Sequence, residues 1–173
     1  MLQAIKIDEH FLNESIDWEF PIPIAYGPGR LNEIAEFCRK FEISNPLIIT
    51  DKGSKELPFI SQLVGLLENA TIQNNLFYGI SPNPRDDEIK AGCNAYRIGN
   101  HDGIIAIGGG SALDGAKAIG MTVNSGVNLW DFEYRKPDPI LNSLDCFPNF
   151  ITIPTTAGTV SYTHLTLPTI LRV

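Results

Sequence analysis

The sequence predicts an α/β fold with a doubly wound parallel sheet. Short apolar runs rich in isoleucine, such as 46–50 and 103–107, have the pattern of strands that are buried on both faces. Stretches with helical spacing alternate with these runs, which implies a parallel sheet with right-handed crossovers. Polar or glycine-rich turns follow the strands, at the edge where such sheets bind ligands.

Composition and charge fit a globular chain of 173 residues that can bury a real core. Hydrophobic residues make up 43% of the chain and charged residues 19%, as in ordinary soluble proteins. The formal net charge of −7 argues against nucleic acid or an anionic membrane surface as the main partner. Any bound phosphate must therefore be held locally by backbone groups.

Cysteine usage and the N-terminal segment favour a cytoplasmic protein. The three cysteines, Cys38, Cys93 and Cys146, form no C-x-x-C pair, so we expect reduced thiols rather than disulfides or a zinc knuckle. The segment 1–9 lacks the basic and apolar regions of a signal peptide, and no run approaches 18 apolar residues. We expect no membrane association.

The first quarter of the chain is predicted to form an arm, an edge segment and a helix. Residues 1–19 show no clean period and are interpreted as an N-terminal arm. Residues 20–26 alternate prolines with apolar side chains, which excludes a central strand. After the turn at 27–29, apolar residues recur at helical spacing over 31–41.

Asp51 directly follows the predicted strand 46–50 and begins the turn Asp51-Lys52-Gly53. Nucleotide-binding folds place at such a strand end the carboxylate that bonds the adenosine ribose, and this charge repels a 2′-phosphate. Asp51 would then favour NAD over NADP. A plain turn or capping role for Asp51 is an equally open alternative.

Two helices and a strand follow. The stretch 57–70 carries a wide apolar stripe, 75–78 is a short strand, and 85–99 is a helix. The loop 81–84, Ser-Pro-Asn-Pro, is made rigid by its prolines. Its Asn83 could present an amide to a ligand, or could simply form the turn.

The stretch 102–120 reads as a buried strand, a glycine turn and a helix. Gly108, Gly109 and Gly110 let the backbone turn sharply and approach a diphosphate closely. Ser111 is predicted to cap the helix, with Asp114 completing an approximate capping box. The free N–H groups and the dipole of this helix favour an anion. The stretch lacks the G-x-G-x-x-G spacing, so a tight structural turn is the alternative.

The last predicted elements are a short amphipathic turn at 127–132, a loop at 135–142 and a strand at 150–153. The strand leads into 154–159, which contains Thr155, Thr156 and Thr159. Hydroxyls at a strand's carboxyl end suit hydrogen bonds to ribose or a nicotinamide amide, although an ordinary polar turn is equally open. Together with Asp51, Asn83 and 108–111, these threonines are predicted to lie at one sheet edge.

A set of motifs in this order resembles the iron-containing (group III) alcohol dehydrogenase family over about residues 20–159. The motifs are Tyr26-Gly27-Pro28-Gly29, Thr50-Asp51, Pro82-Asn83-Pro84, Gly108-Gly109-Gly110-Ser111 with Asp114 and Lys117, and Ile153-Pro154-Thr155-Thr156-Ala157-Gly158-Thr159. Each motif alone is unspecific, whereas the ordered set is specific.

The resemblance implies a Rossmann-like, dehydroquinate-synthase-like nucleotide-binding domain followed by a helical domain. It also implies hydride transfer between NAD(P) and a small alcohol, aldehyde or ketone, assisted by Fe2+ or Zn2+, in a homo-oligomer. Position by position, the resemblance implies these roles: Asp51 for the adenosine ribose; Asn83 along the cofactor; Gly109, Gly110, Ser111 and Asp114 for the diphosphate; Thr155, Thr156 and Thr159 for the nicotinamide half.

The chain departs from the family pattern after Thr159. The family continues Gly-Ser-Glu, whereas residues 160–173 look like a translated sequencing adaptor, so we expect a non-native tail on a truncated cofactor domain. His10, His101 and His164 form no ligand pattern, and we expect no metal site and no catalytic residues in this chain. A dehydroquinate-synthase-like lyase and a stand-alone nucleotide-binding module are the alternative functions.

Overall fold

The computed structural model describes the backbone of residues 16–18 and all atoms of residues 23–133, 135–141 and 146–157. Strands β1 (Ile16–Trp18) and β2 (Ile24–Tyr26) pair in an antiparallel ribbon. The main sheet has four parallel strands, β3 (Pro46–Asp51), β4 (Asn75–Ile80), β5 (Gly103–Gly108) and β6 (Asn149–Pro154).

Helices connect these strands. A short 3-10 helix (Arg30–Glu33) leads into α1 (Ile34–Lys40), and α2 (Pro58–Asn69), α3 (Asp86–Ile98) and α4 (Gly110–Thr122) follow β3, β4 and β5. A second 3-10 helix covers Leu129–Phe132. Among the described residues, none of the helices has the length and apolar character needed to span a bilayer.

Both faces of the sheet are covered, which explains the unbroken apolar runs of the central strands. On one face, Ile48 and Ile105 pack with Leu63 of α2. On the other face, Ile49 and Ile104 pack in one cluster with Ile119 of α4. Every residue of β5 is buried, as expected for a parallel strand between two helical layers.

The strand order β4-β3-β5-β6 places a topological switch point between β3 and β5. From β3 the chain moves outward to β4, then crosses back to β5 and continues to β6 on the other side. Ligands of doubly wound sheets bind at such a point, outside the carboxyl ends of the strands. Asp51 ends β3 and Gly108 ends β5, so these two residues mark the switch point.

The predicted α/β class and the order of helices and strands from the first predicted helix onward are confirmed, whereas β1 lies in the segment 1–19, where the sequence predicts no strand. One detail is wrong, because α4 begins at Gly110 with Gly109 at the N-cap, and no side-chain capping bond forms. The predicted cap formed by Ser111 and Asp114 therefore does not exist. The backbone turns at Gly108, with a φ of 142°, so the N-cap falls at Gly109, two residues before the predicted cap Ser111.

Candidate nucleotide-binding site

The carboxyl ends of β3 and β5 are in close contact. A Cβ built on Gly108 would lie 3.2 Å from Oδ2 of Asp51, 3.4 Å from Oγ1 of Thr50 and 2.8 Å from Cβ of Ala112. Gly108 also has the left-handed φ of 142°. Only glycine fits at position 108 without strain. Because the Asp51 carboxylate lies beside this glycine, the carboxylate and the glycine turn share one site.

Asp51 also closes its own turn. Its Oδ1 accepts the N–H groups of Gly53 (2.9 Å) and Ser54 (3.0 Å), and its Oδ2 accepts the Ser54 hydroxyl (2.8 Å). The turn role proposed from the sequence is therefore present. An ionised carboxylate offers about four acceptor positions, so these three bonds leave capacity for a ligand hydroxyl.

The glycine turn meets the threonine loop after β6. Thr155 N–H donates to the Gly108 carbonyl (2.9 Å), and a Cβ built on Gly109 would lie 3.6–3.7 Å from the side chain of Thr156. Thr155 and Thr156 are exposed. The structure thus brings Asp51, the glycine turn and this loop together at one edge, while Thr159 lies outside the described residues.

Helix α4 begins at this edge, so the N–H groups of Gly109 to Ala112 have no partner within the helix. The first intrahelical bond runs from the Leu113 N–H to the Gly109 carbonyl (3.2 Å). Ser111 and Asp114 are half-buried on the first turn. Lys117 is buried one turn further on; burial lowers its pKa, and the charge of Asp114 opposes this shift.

Asn83 lies on the exposed loop after β4, the strand next to β3. Its φ of 57° is left-handed, a conformation that asparagine adopts in turns. The turn-forming role is therefore present. No contact between Asn83 and the glycine turn is seen in the described residues.

Glu88, which the sequence did not single out, joins the loops after β3 and β4. Its carboxylate accepts Lys52 Nζ (3.0 Å), the Ser81 hydroxyl (2.9 Å) and the N–H groups of Ser81 (3.2 Å) and Arg85 (3.3 Å). Burial by itself would raise the pKa of Glu88, but the bonds from Lys52, Ser81 and Arg85 lower it to about 2. The available signal was Glu88's place at the third position of α3, where a glutamate reaches back to the N-cap backbone.

Metal ligands are not grouped in the described ranges, where no three His, Cys, Asp or Glu side chains could hold an ion. His101 is buried at the opposite, amino edge of the sheet, and its Nδ1 lies 2.8 Å from the Asn45 carbonyl. His10 and His164 lie outside the described residues.

Comparison with known proteins places the chain in a family. The family model described as iron-containing alcohol dehydrogenase matches residues 21–165. Choline dehydrogenase of Bacillus subtilis is 33% identical over 145 residues, covering 83% of this chain and 35% of the relative. NADH-dependent butanol dehydrogenase A of Clostridium acetobutylicum is 33% identical over 118 residues, covering 68% of this chain and 30% of the relative.

The fold matches solved structures as well. The sulfoacetaldehyde reductase of Bifidobacterium kashiwanohense, solved in complex with NAD+, superposes with a TM-score of 0.71 at 22% identity. That match covers 93% of this chain and 46% of the reductase, and at this identity it shows the fold alone. The chain spans about a third of the length of the curated relatives that it matches. On the family-model match and the identity to these relatives, the chain belongs to the iron-containing alcohol dehydrogenase family.

Proposed function

We propose that this chain binds NAD at the carboxyl edge of its sheet, as the cofactor-binding part of an oxidoreductase that interconverts a small alcohol with an aldehyde or ketone. The observation that carries the proposal is the contact between Asp51 and Gly108 at the switch point. The names of the butanol dehydrogenase relative, which is NADH-dependent, and of the NAD+-bound reductase support it.

The diphosphate would bind at the start of α4. Gly109 and Gly110 carry no side chain there, and the N–H groups of the first turn, including that of Ser111, supply donors for an anion. A Cβ at Gly109 would meet only ordinary contacts within the protein. The absence of a side chain at this position is therefore better explained by a ligand than by packing. Asp114 is proposed to line this part of the site.

The adenosine ribose would be bound by Asp51, whose carboxylate retains acceptor capacity after closing its turn. A 2′-phosphate beside this carboxylate would be repelled, so NAD is favoured over NADP. Asn83, on the neighbouring loop, is proposed to lie along the same half of the cofactor.

The nicotinamide half would lie along Thr155, Thr156 and Thr159. Bound NAD supplies the acceptor for the hydride of an alcohol. The exposed side chains of Thr155 and Thr156 would orient the ring through hydrogen bonds. The nucleotide-binding domain is proposed to extend over residues 20–159, with 1–19 as an arm and 160–173 as an added tail.

The described residues contain no ligand set for the iron in the family name. We propose that Fe2+ or Zn2+ acts in the full-length protein through residues outside those described. Cytoplasmic location and homo-oligomerisation of that protein remain proposals as well. The dehydrogenase names of the family model and relatives favour oxidoreduction over a dehydroquinate-synthase-like lyase reaction.

Calorimetric titration with ADP-ribose tests the binding site independently of catalysis. We expect saturable 1:1 binding that Gly109→Val abolishes, because the valine side chain would occupy the path of the diphosphate. Gly65→Val is the matched control, since a Cβ at Gly65 of α2 meets nothing within 4 Å. Equal affinity of the chain and Gly109→Val would contradict the proposed site.

A further inference from the structure

We infer that Glu88 sets the cofactor preference of this site by holding the ammonium of Lys52 away from the ribose position. The inference rests on the proposed function and adds a positioning residue to it. Glu88 lies on α3 and touches neither Asp51 nor the glycine turn through any contact that the structure describes. It would act through Lys52.

Lys52 is the residue that directly follows Asp51. Its N–H donates to the Ile80 carbonyl (2.9 Å), so its backbone joins the carboxyl ends of β3 and β4. Its Nζ lies 3.0 Å from Oε1 of Glu88, and 56% of the Lys52 side chain is exposed. A flexible, partly exposed cation therefore stands one residue from the carboxylate proposed to reject a 2′-phosphate.

The holding group is unusually fixed. Glu88 is only 6% exposed, and its second oxygen, Oε2, accepts from Ser81 and the Arg85 backbone, which keeps the carboxylate in one orientation. Its lowered pKa, about 2, keeps the Glu88 carboxylate charged at neutral pH. Arg85 is a second cation at 3.7 Å, but its side chain is 65% exposed.

The ion pair between Lys52 and Glu88 affects the charge near the proposed ribose position. An unpaired Lys52 ammonium can swing on its four-carbon stem towards Asp51, offset that negative charge and attract a 2′-phosphate. Paired with Glu88, the same ammonium is neutralised and directed to the loop after β4. The selectivity of Asp51 for NAD would then depend on a buried carboxylate 37 positions along the chain.

A double-mutant cycle tests this inference. ADP-ribose and its 2′-phosphorylated analogue are titrated against the chain, Glu88→Gln, Lys52→Met and the double variant. Glutamine retains an acceptor for the Ser81 hydroxyl but carries no charge. We expect Glu88→Gln to shift the affinity ratio about fivefold towards the 2′-phosphorylated ligand, an estimate for a partly screened surface charge. We expect the shift to vanish when Lys52→Met is also present.

Glu68→Gln is the control for net charge, because Glu68 is an exposed carboxylate near the end of α2, at the amino edge. It should leave the ratio unchanged. An unchanged ratio in Glu88→Gln overturns the inference while leaving the proposed NAD site intact, as does a shift that persists without Lys52. Failure of the unmodified chain to bind either ligand overturns both the proposed function and the inference.

Discussion

The Asp51 carboxylate lies against the α-carbon of Gly108, with 3.2 Å between Oδ2 and a Cβ built on that glycine. This contact links two sequence motifs that are 57 residues apart and sit on neighbouring strands. The contacts also show that the adjacent glycines Gly108 and Gly109 have different roles. Gly108 is required by the fold, whereas Gly109 is free of close contacts and is explained by a ligand.

Gly108→Ala should destabilise the fold, while Gly109→Ala should not. Alanine at 108 would need a φ of 142° and would meet Ala112 Cβ at 2.8 Å. We expect a loss of about 1–3 kcal/mol in the free energy of unfolding. At 109, φ is −78° and the nearest contacts are 3.6 Å or more. Urea denaturation of both variants measures the difference. Equal stability of Gly108→Ala and Gly109→Ala would contradict the claim that the fold requires glycine only at position 108.

Asp51→Asn should weaken ADP-ribose binding about tenfold or more, because a charged hydrogen bond to the ribose is lost. The preference for ADP-ribose over its 2′-phosphorylated analogue should also become smaller. The matched control is Asp102→Asn at the amino edge. Asp102 accepts the same kinds of donor as Asp51, two backbone N–H groups and a serine hydroxyl, but from Ser44 and Asn45 on the segment before β3.

Both substitutions remove one charge and weaken a carboxylate that accepts two N–H groups and one serine hydroxyl, so the changes in stability should be similar. Calorimetry on both variants measures the difference in ligand binding. Equal affinities for ADP-ribose would remove Asp51 from the site.

Glu88 should make folding stability depend on acid pH. Its pKa is lowered from 4.5 to about 2 in the folded chain, so its stabilising effect is fully present above pH 4.5. That effect is lost as pH falls from 4.5 through 2, because the unfolded chain takes up the proton first. The stability difference between the chain and Glu88→Gln, measured by urea denaturation at pH 6, 4 and 3, should therefore shrink with acid. A stability difference that does not change with pH would show that these hydrogen bonds do not stabilise the charged form of Glu88.

The buried thiols should resist alkylation. Burial, with a contribution from the Asp102 charge, raises the pKa of Cys38 to about 12 even though Arg39 opposes the shift, and burial also raises the pKa of Cys93. Cys146 is half-buried. With iodoacetamide at pH 8, peptide mapping should show Cys146 modified at least about a hundredfold faster than Cys38, because the thiolate is the reacting form. Comparable alkylation rates of Cys38 and Cys146 in the native chain would contradict the buried position of Cys38. In urea, all three cysteines should react at similar rates.

The elements of the fold could be predicted because their signals are local. The strand pattern of 46–50 and 103–107 and the stripe over 57–70 lie within single segments, and β3, β5 and α2 lie within one residue of the predicted bounds. Strand order is not local. It depends on how α2 and α3 pack across the sheet, so the switch point between β3 and β5 became visible only in the structure.

The candidate site likewise combines features with local sequence signals and contacts that form only in the fold. Asp51 and the glycine turn could be predicted from their position after strands. For Glu88, the sequence signals only a helix-start contact with the Arg85 backbone, because its contacts with Lys52 and Ser81 depend on the fold. The capping prediction for Ser111 failed for a related reason. The backbone turns at Gly108 and the helix begins at Gly110, so Ser111 lies inside the first turn and not at the N-cap.

The central claim is that NAD binds at the carboxyl edge of the sheet. Amide chemical-shift mapping of the isotope-labelled chain during titration with NAD+ tests it most directly. We predict saturable shifts at Gly53, Gly109, Ser111 and Thr156, with Ser44, Asn45 and Gly99 at the amino edge unaffected. Shifts confined to the amino edge, or no saturable shift at any of these amides, would contradict the account.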